Sequence, residues 1–210
     1  MTDPIVIVGA GGFGREVLDV IEALNATRPT WDFLGFLDDG APDEDLLHRR
    51  QAKVLGPSGA LADIDAHYVI GIGSGEVRIR IDALAASFGR KAAILVHPWA
   101  NVGSDTELGE GSVLCAFASI TTHVTMGRHV QLNPGCTIGH DVVLEDFVTV
   151  FPGAAVSGNV LLRRGVTIGA RAVVLRGLEV GQGSTVGAGA VVVRPVRRDE
   201  IVVGVPARPL

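Results

Sequence analysis

Every sixth residue from Val96 to Val192 is aliphatic or methionine, at seventeen positions in a row with no insertion. The series runs Val96, Val102, Leu108, Leu114, Ile120, Met126 and on through Leu132, Ile138 and Leu144 to Val192. Four residues after each member stands a second position, small or aliphatic in nearly every case, as at Ala100, Ser112, Val124, Cys136, Val148 and Ala172. The residues between are mostly Gly, Asn, Asp, Pro or charged, which is turn chemistry. A strand buries every second residue and a helix follows a period of 3.6, so neither element alone carries this pattern.

The period resembles the hexapeptide repeat of parallel β-helices, in which three hexads close one triangular coil of about eighteen residues. The aliphatic positions then point inward and stack on their equivalents one coil away, at roughly 4.8 Å. Each buried Val, Leu or Ile contributes roughly 1.5–3 kcal/mol, ample in a column to hold a solenoid before chain entropy is counted. The left-handed turn of such coils in acyltransferases is an exception to the usual right-handed crossover. It is implied by the resemblance and not by the period.

The chain before Val96 has another organisation. Residues 4–9, PIVIVG, read as a buried strand, and 15–24 place Val17, Leu18, Ile21 and Leu24 on one helical face. Residues 32–39 read as a second strand ending in Asp38 and Asp39, 67–73 as another, 77–89 as a helix and 92–98 as a last strand. Residues 41–51 read as a loop or a solvated helix. Strands alternating with helices imply a Rossmann-like βαβ domain over 1–95, followed by the β-helix over 96–200 and a terminal segment, 201–210.

Gly9, Gly11 and Gly14 satisfy G-x-G-x-x-G between the first strand and helix, with Asp38 some two dozen residues on. Alone this suggests a dinucleotide, with its pyrophosphate at the helix N-terminus. About 95 residues are too few for two mononucleotide halves, and one half suits a nucleotide-diphosphate sugar better. A purely structural glycine turn is the plainer alternative.

His140 is the third residue of its hexad, at an outward-facing corner, and the position stacked on it one coil later is Gly158. An imidazole beside a bare backbone N–H suits acyl transfer: the ring takes a proton from the nucleophile and the amide polarises a thioester carbonyl. Asp141, Glu145 or Asp146 could hold the tautomer. Asp141 also stacks over His123, a separate possible pair. A corner histidine is most simply a solvated turn residue, and His123 and His129 fit that description.

Composition narrows the setting. A net charge of −5 argues against a nucleic-acid surface. Cys115 and Cys136 make no disulfide framework, and the start MTDPIVIVGAGG is neither a signal peptide nor a membrane span. A cytoplasmic protein acting away from membranes is expected.

The stretches IVIVGAGGFGREVLDVI, LGFLDD, VIGIGSGEVRIRI, VHPWANVG, NPGCTIGHDVVLEDF, PGAAVSGNV and VVGVPARPL together resemble the bacterial sugar O- and N-acetyltransferases of the sialic acid O-acetyltransferase group, within the hexapeptide-repeat superfamily. The resemblance implies a homotrimer of left-handed β-helices with acetyl-CoA in a groove between neighbouring subunits. It implies His140 as the base, Asp141 as its orienting acid, and Asn133 near the sugar acceptor. Gly158 would contact the thioester carbonyl, and Gly204, Pro206, Ala207 and Arg208 would lie beside the coenzyme. Gly9, Gly11, Gly12, Phe13, Asp38 and Asp39 would form the nucleotide-sugar pocket. Many members carry histidine where this chain has Phe13, which packs but donates no hydrogen bond; Arg15 nearby could supply charge.

The expected activity is N-acetylation of a nucleotide-linked amino sugar with acetyl-CoA as cosubstrate and no metal. O-acetylation of a sialic-acid-type hydroxyl is the nearest alternative. A zinc lyase on this repeat needs three converging histidines, and His123 and His129 sit at successive corners. A non-catalytic module is opposed by the joint presence of His140, Asp141, Asn133 and Gly158.

Overall fold

The computed structural model describes residues 2–210, which fall into a first unit ending at Pro98 and a second unit, Trp99–Leu210. In the first unit β1 (Asp3–Val8) leads into α1 (Gly12–Thr27), then β2 (Trp31–Leu37), α2 (Glu44–His48), β3 (Val54–Gly56), a 3-10 turn (Ser58–Ala62), β4 (His67–Ile70) and α3 (Gly75–Ser87). The sheet is parallel throughout, in the order β3-β2-β1-β4. It is one Rossmann-like half. Its central strand β1 is a continuous apolar run because both faces are covered, and Ile5, Val6, Ile7 and Val8 are all buried. Val17, Leu18 and Ile21 of α1 are buried with it.

One detail differs from expectation, and one open alternative is resolved. Residues 92–98 do not form a full strand of this sheet: Ala92 makes one bridge to Tyr68, and only Leu95–Val96 is extended, lying against α1. Two small alanines offer too little side chain to hold a longer pairing. Residues 41–51 contain the short helix α2, capped by Asp43, whose Oδ1 accepts the Leu46 N–H at 3.1 Å.

The second unit is a left-handed parallel β-helix of two- and three-residue strands on three faces. Thr137–Ile138 pairs with Ser119–Ile120 before it and Ala155–Val156 after it, at a spacing of eighteen residues. The Gly139 N–H donates to the Val156 carbonyl at 2.8 Å, and the same ladder recurs from coil to coil. From Leu114 to Val192 every sixth residue is buried, and Val124, Cys136, Val148 and Ala172 of the second series are buried too. The start of the unit is looser. Val102 is 38% exposed, because a first coil has no coil before it to cover its side chains.

The period breaks after Val192. Val180 pairs with Val196 and Val186 with Val202, so the last coil is sixteen residues and not eighteen. Ile201–Val203 then turns through Gly204 (φ +91°) and returns antiparallel as Arg208–Pro209.

His129 is not a solvated turn residue. It is fully buried, its ring stacked on Phe147 one coil away with 5.5 Å between centroids and 8° between planes. Gly111, one coil earlier, has no side chain, and a Cβ there would lie 2.2 Å from the His129 ring. His123 is exposed as expected, but it pairs with Asp105 (Nε2–Oδ2 3.2 Å) and not with Asp141.

Burial pushes the Cys136 thiol up to about 12, with Cys115 buried as well. The thiolate is the reactive form, so neither cysteine should react with Ellman's reagent within minutes at pH 8 in the folded protein, and both should in urea. Fast labelling of native protein would mean the coils open locally.

Candidate active site

The corner after Ile138 is built by backbone geometry. The equivalent residues Asp105, His123, Asp141 and Asn159 all hold φ between 56° and 59°, and Gly177 follows at 75°. Only Gly and short polar residues tolerate this left-handed conformation readily. Asp141 satisfies the corner and sets a carboxylate beside the imidazole before it. The His140 Nδ1–H donates to Asp141 Oδ2 at 2.6 Å, with both side chains about half exposed. That bond fixes Nδ1 as the protonated nitrogen and leaves Nε2 as the basic one.

Of the three acids that could orient the ring, the other two are engaged elsewhere. Glu145 accepts from Arg163 Nη1 and from the Arg164 N–H, both at 2.9 Å, and Asp146 accepts the Arg128 N–H at 2.8 Å. The hydrogen bond from His140, aided by the charges of His123 and Arg176, holds the Asp141 carboxyl below the usual carboxylate range.

Nε2 faces Gly158. A Cβ on that glycine would lie 2.6 Å from Nε2 and 2.7 Å from Cε1. The Gly158 N–H donates to no acceptor among the described residues, while the next amide, Asn159 N–H, is taken by the His140 carbonyl at 2.8 Å. A basic nitrogen thus stands next to a glycine whose amide is unpaired among the described residues, and a base with an amide donor is the pair of groups that acyl transfer asks for.

Other expected site residues lie apart from this group. Asn133 is buried on a different face, its Nδ2 donating to the Val150 carbonyl at 3.2 Å. Gly204, Pro206, Ala207 and Arg208 belong to the terminal hairpin, where the Ala207 N–H donates to the Val191 carbonyl at 2.7 Å. Among the described residues no three His, Cys, Asp or Glu side chains converge as metal ligands.

In the first unit the glycine turn divides its labour. Gly9 holds φ +103°, and a Cβ on Gly14 would lie 1.9 Å from the Gly9 carbonyl oxygen, so these two shape the backbone. Gly11 and Gly12 are exposed, and a Cβ on either would meet nothing within 4 Å. The helix begins there with no side-chain cap and no acid in its first turn, leaving orphan N–H groups for an anion. Phe13 is half-buried in that turn, and Arg15 Nη1 donates to the Ala10 carbonyl at 3.3 Å. Asp38 braces the turn: Oδ2 accepts the Ala10 N–H at 2.7 Å and Oδ1 the Gly40 N–H at 2.8 Å. Asp39 accepts from the Ser58 N–H and hydroxyl at 2.7 and 2.8 Å. Sequence reading missed this bracing, although the turn-forming Gly40 and Ser58 signal it.

Asp141→Asn tests the orienting bond. An amide cannot hold the Nδ1–H tautomer with charge, so kcat should fall by about ten- to a hundredfold. Because the native carboxyl is held low, the charge contributes to stability above the carboxylate range and loses that contribution as pH falls through it. The Tm difference between wild type and variant should therefore shrink in acid; a pH-independent difference would contradict the charged bond.

Residues 4–82 match the family described as the PglD N-terminal domain. The chain is 28% identical over 146 residues to GDP-perosamine N-acetyltransferase of Escherichia coli O157:H7, a match covering 68% of this chain and 65% of that protein. The acetyltransferase domain of PglB from Neisseria gonorrhoeae FA1090, solved also in complex with acetyl coenzyme A, superposes with a TM-score of 0.88 at 31% identity over the whole of both chains. PerB from Caulobacter crescentus, in complex with CoA and GDP-perosamine, superposes with a TM-score of 0.85 at 28% identity, covering 99% of this chain and 97% of that one. A likeness that runs the full length of both chains admits one assignment: this chain belongs to the bacterial sugar acetyltransferases that join a PglD-type amino-terminal domain to a hexapeptide-repeat β-helix.

Proposed function

We propose that the protein transfers the acetyl group of acetyl-CoA to the amino group of a nucleotide-linked amino sugar. The observation that carries this reading is the His140 ring, anchored by Asp141 and directed at Gly158 with its unpaired amide. The substrate amine attacks the thioester carbonyl, and His140 Nε2 receives the proton that the amine nitrogen must lose. The Gly158 N–H supports the oxyanion that forms. As the C–S bond breaks, the imidazolium returns the proton to the departing thiolate, so amide and thiol are the products.

The exposed glycines Gly11 and Gly12 and the helix N-terminus behind them receive the nucleotide's phosphates, with Asp38 and Asp39 holding the loop shape and Phe13 and Arg15 at the rim. The hairpin residues Gly204, Pro206, Ala207 and Arg208 run beside the coenzyme. The working form is a homotrimer: Trp99 and Phe117 are 66% and 63% exposed, their rings 5.4 Å apart, an apolar surface suited to a second copy. The supply of acetyl-CoA and nucleotide sugars inside cells supports a cytoplasmic enzyme. No helix among the described residues is long and apolar enough to cross a membrane.

The test is thiol release from acetyl-CoA against GDP-, UDP- and dTDP-linked amino sugars and free sialic acid, with products weighed by mass spectrometry. GDP-perosamine is the first acceptor to try, given the relatives that act on or bind it. Acetylation of an amino sugar is expected. Acetylation of sialic acid alone would move the protein to the O-acetyltransferases, and no transfer to any acceptor would sink both readings.

A further inference from the structure

The first unit buries a full positive charge. Arg78, on α3, is completely shielded from solvent, although a guanidinium is costly to take out of water. Burial pushes it down to about 10, so it remains a cation at neutral pH. Its Nη1 donates to two successive carbonyls, that of Ile72 at 3.1 Å and that of Gly73 at 2.7 Å. Both belong to residues 71–74, the loop that joins β4 to α3. A side chain of similar length without donors would fill the same space, so the charge is there for the carbonyls.

The strand order gives that loop its importance. From β1 the chain builds outwards to β2 and β3, then returns to place β4 on the other side of β1. In an open parallel sheet, the crevice at such a reversal is where ligands bind, at the carboxyl ends of the strands. One wall of the crevice is the glycine turn after β1, and the other is residues 71–74. The walls are in backbone contact: the Gly71 N–H donates to the Val8 carbonyl at 2.8 Å. A Cβ on Gly71 would lie 2.5 Å from Gly14 Cα, and one on Gly9 would lie 2.5 Å from Ile72 Cγ1 and 3.0 Å from the Gly71 carbonyl oxygen. A shift of residues 71–73 therefore displaces the glycine turn as well. Holding the Gly73 carbonyl also fixes a trans peptide plane, which turns the Ser74 N–H the opposite way, away from the guanidinium. That N–H donates to no acceptor among the described residues.

We propose that Arg78 is a positioning residue for the nucleotide-linked acceptor: by gripping the Ile72 and Gly73 carbonyls it sets the second wall of the crevice, and so the affinity for the nucleotide, without touching the substrate. The assignment rests on the nucleotide-sugar reading above. It is tested with Arg78→Met, which keeps the apolar stem and removes the donors, and Arg78→Lys, which keeps a cation able to bond carbonyls. Each variant and wild type are titrated calorimetrically with GDP, UDP, dTDP and acetyl-CoA. Arg78→Met should bind the diphosphate that wild type prefers about tenfold or more weakly, the scale of one charge-assisted hydrogen bond, with acetyl-CoA affinity changed by less than about twofold. Arg78→Lys should recover most of the loss. In turnover, the acceptor KM should rise in Arg78→Met while kcat at saturation holds.

Diphosphate affinity unchanged in Arg78→Met would overturn the proposal. So would equal weakening towards acetyl-CoA, or a lysine variant as weak as the methionine one, since either would make Arg78 a prop for the fold at large. Arg78→Gln, which keeps a donor without charge, takes the place of Arg78→Met in the comparison if that variant has a lowered Tm. Wild type that binds none of the three diphosphates would instead overturn the nucleotide-sugar reading itself.

Discussion

Replacing His140 with alanine should lower kcat by about 10²–10³, towards the lower half of what a general base contributes, with the KM of either substrate little changed. The magnitude follows from the nucleophile. A neutral amine attacks through its lone pair and must shed its proton only as the tetrahedral species forms; a hydroxyl needs proton removal to attack at all. The same substitution in a hydroxyl-directed enzyme should therefore cost more, towards 10⁴. The fold should tolerate the change, because the ring is half exposed and its only bond among the described residues is to Asp141. Steady-state kinetics with a matched Tm decides the matter. An unchanged kcat would remove His140 from the chemistry, and a raised KM at constant kcat would make it a binding group.

The chain's spacing made the second unit legible because a coil of fixed length turns sequence distance into contact. That rule alone places His140 against Gly158, where the structure puts Nε2 within 2.6 Å of a would-be Cβ. The same rule, carried one coil either way from His129, finds Gly111 before it and Phe147 after it. A vacant position and a flat apolar ring together signal a buried stack. Hexad position alone cannot reveal this, since His123 and His129 occupy similar-looking turns and only one of them has a ring to lie on. The shortened coil after Val192 was harder to see. Pro195 marks a turn, but whether the ladder then skips two residues is decided by which apolar residue can reach Val180, and Val196 does. In the first unit the glycine turn was plain, while the task of Asp38 was not. Its carboxylate reaches across 28 residues to the Ala10 amide, a contact created by the parallel pairing of β1 and β2.

Gly158→Ala should abolish most activity while leaving stability intact, because this glycine is required by the space beside it and not by its backbone. Its φ lies outside the left-handed region, so alanine fits the chain and even removes some freedom from the unfolded state. The new methyl, however, would stand 2.6 Å from His140 Nε2 and 3.0 Å from Cδ2. Ring and methyl cannot both stay. The half-exposed imidazole is the mobile partner, and turning it away stretches or breaks the 2.6 Å bond from Nδ1–H to Asp141. The methyl also covers the approach to the amide that would meet the oxyanion. Losing base alignment and oxyanion support together should cut kcat/KM by about 10² or more. Gly139→Ala is the control, since a Cβ there would lie 2.6 Å from the backbone nitrogen of Gly158, where nothing can swing aside. It should lower Tm, and Gly158→Ala should not. Near wild-type kcat/KM in Gly158→Ala would show that the imidazole works from another position, and the acyl-transfer geometry built on this pair would have to be abandoned.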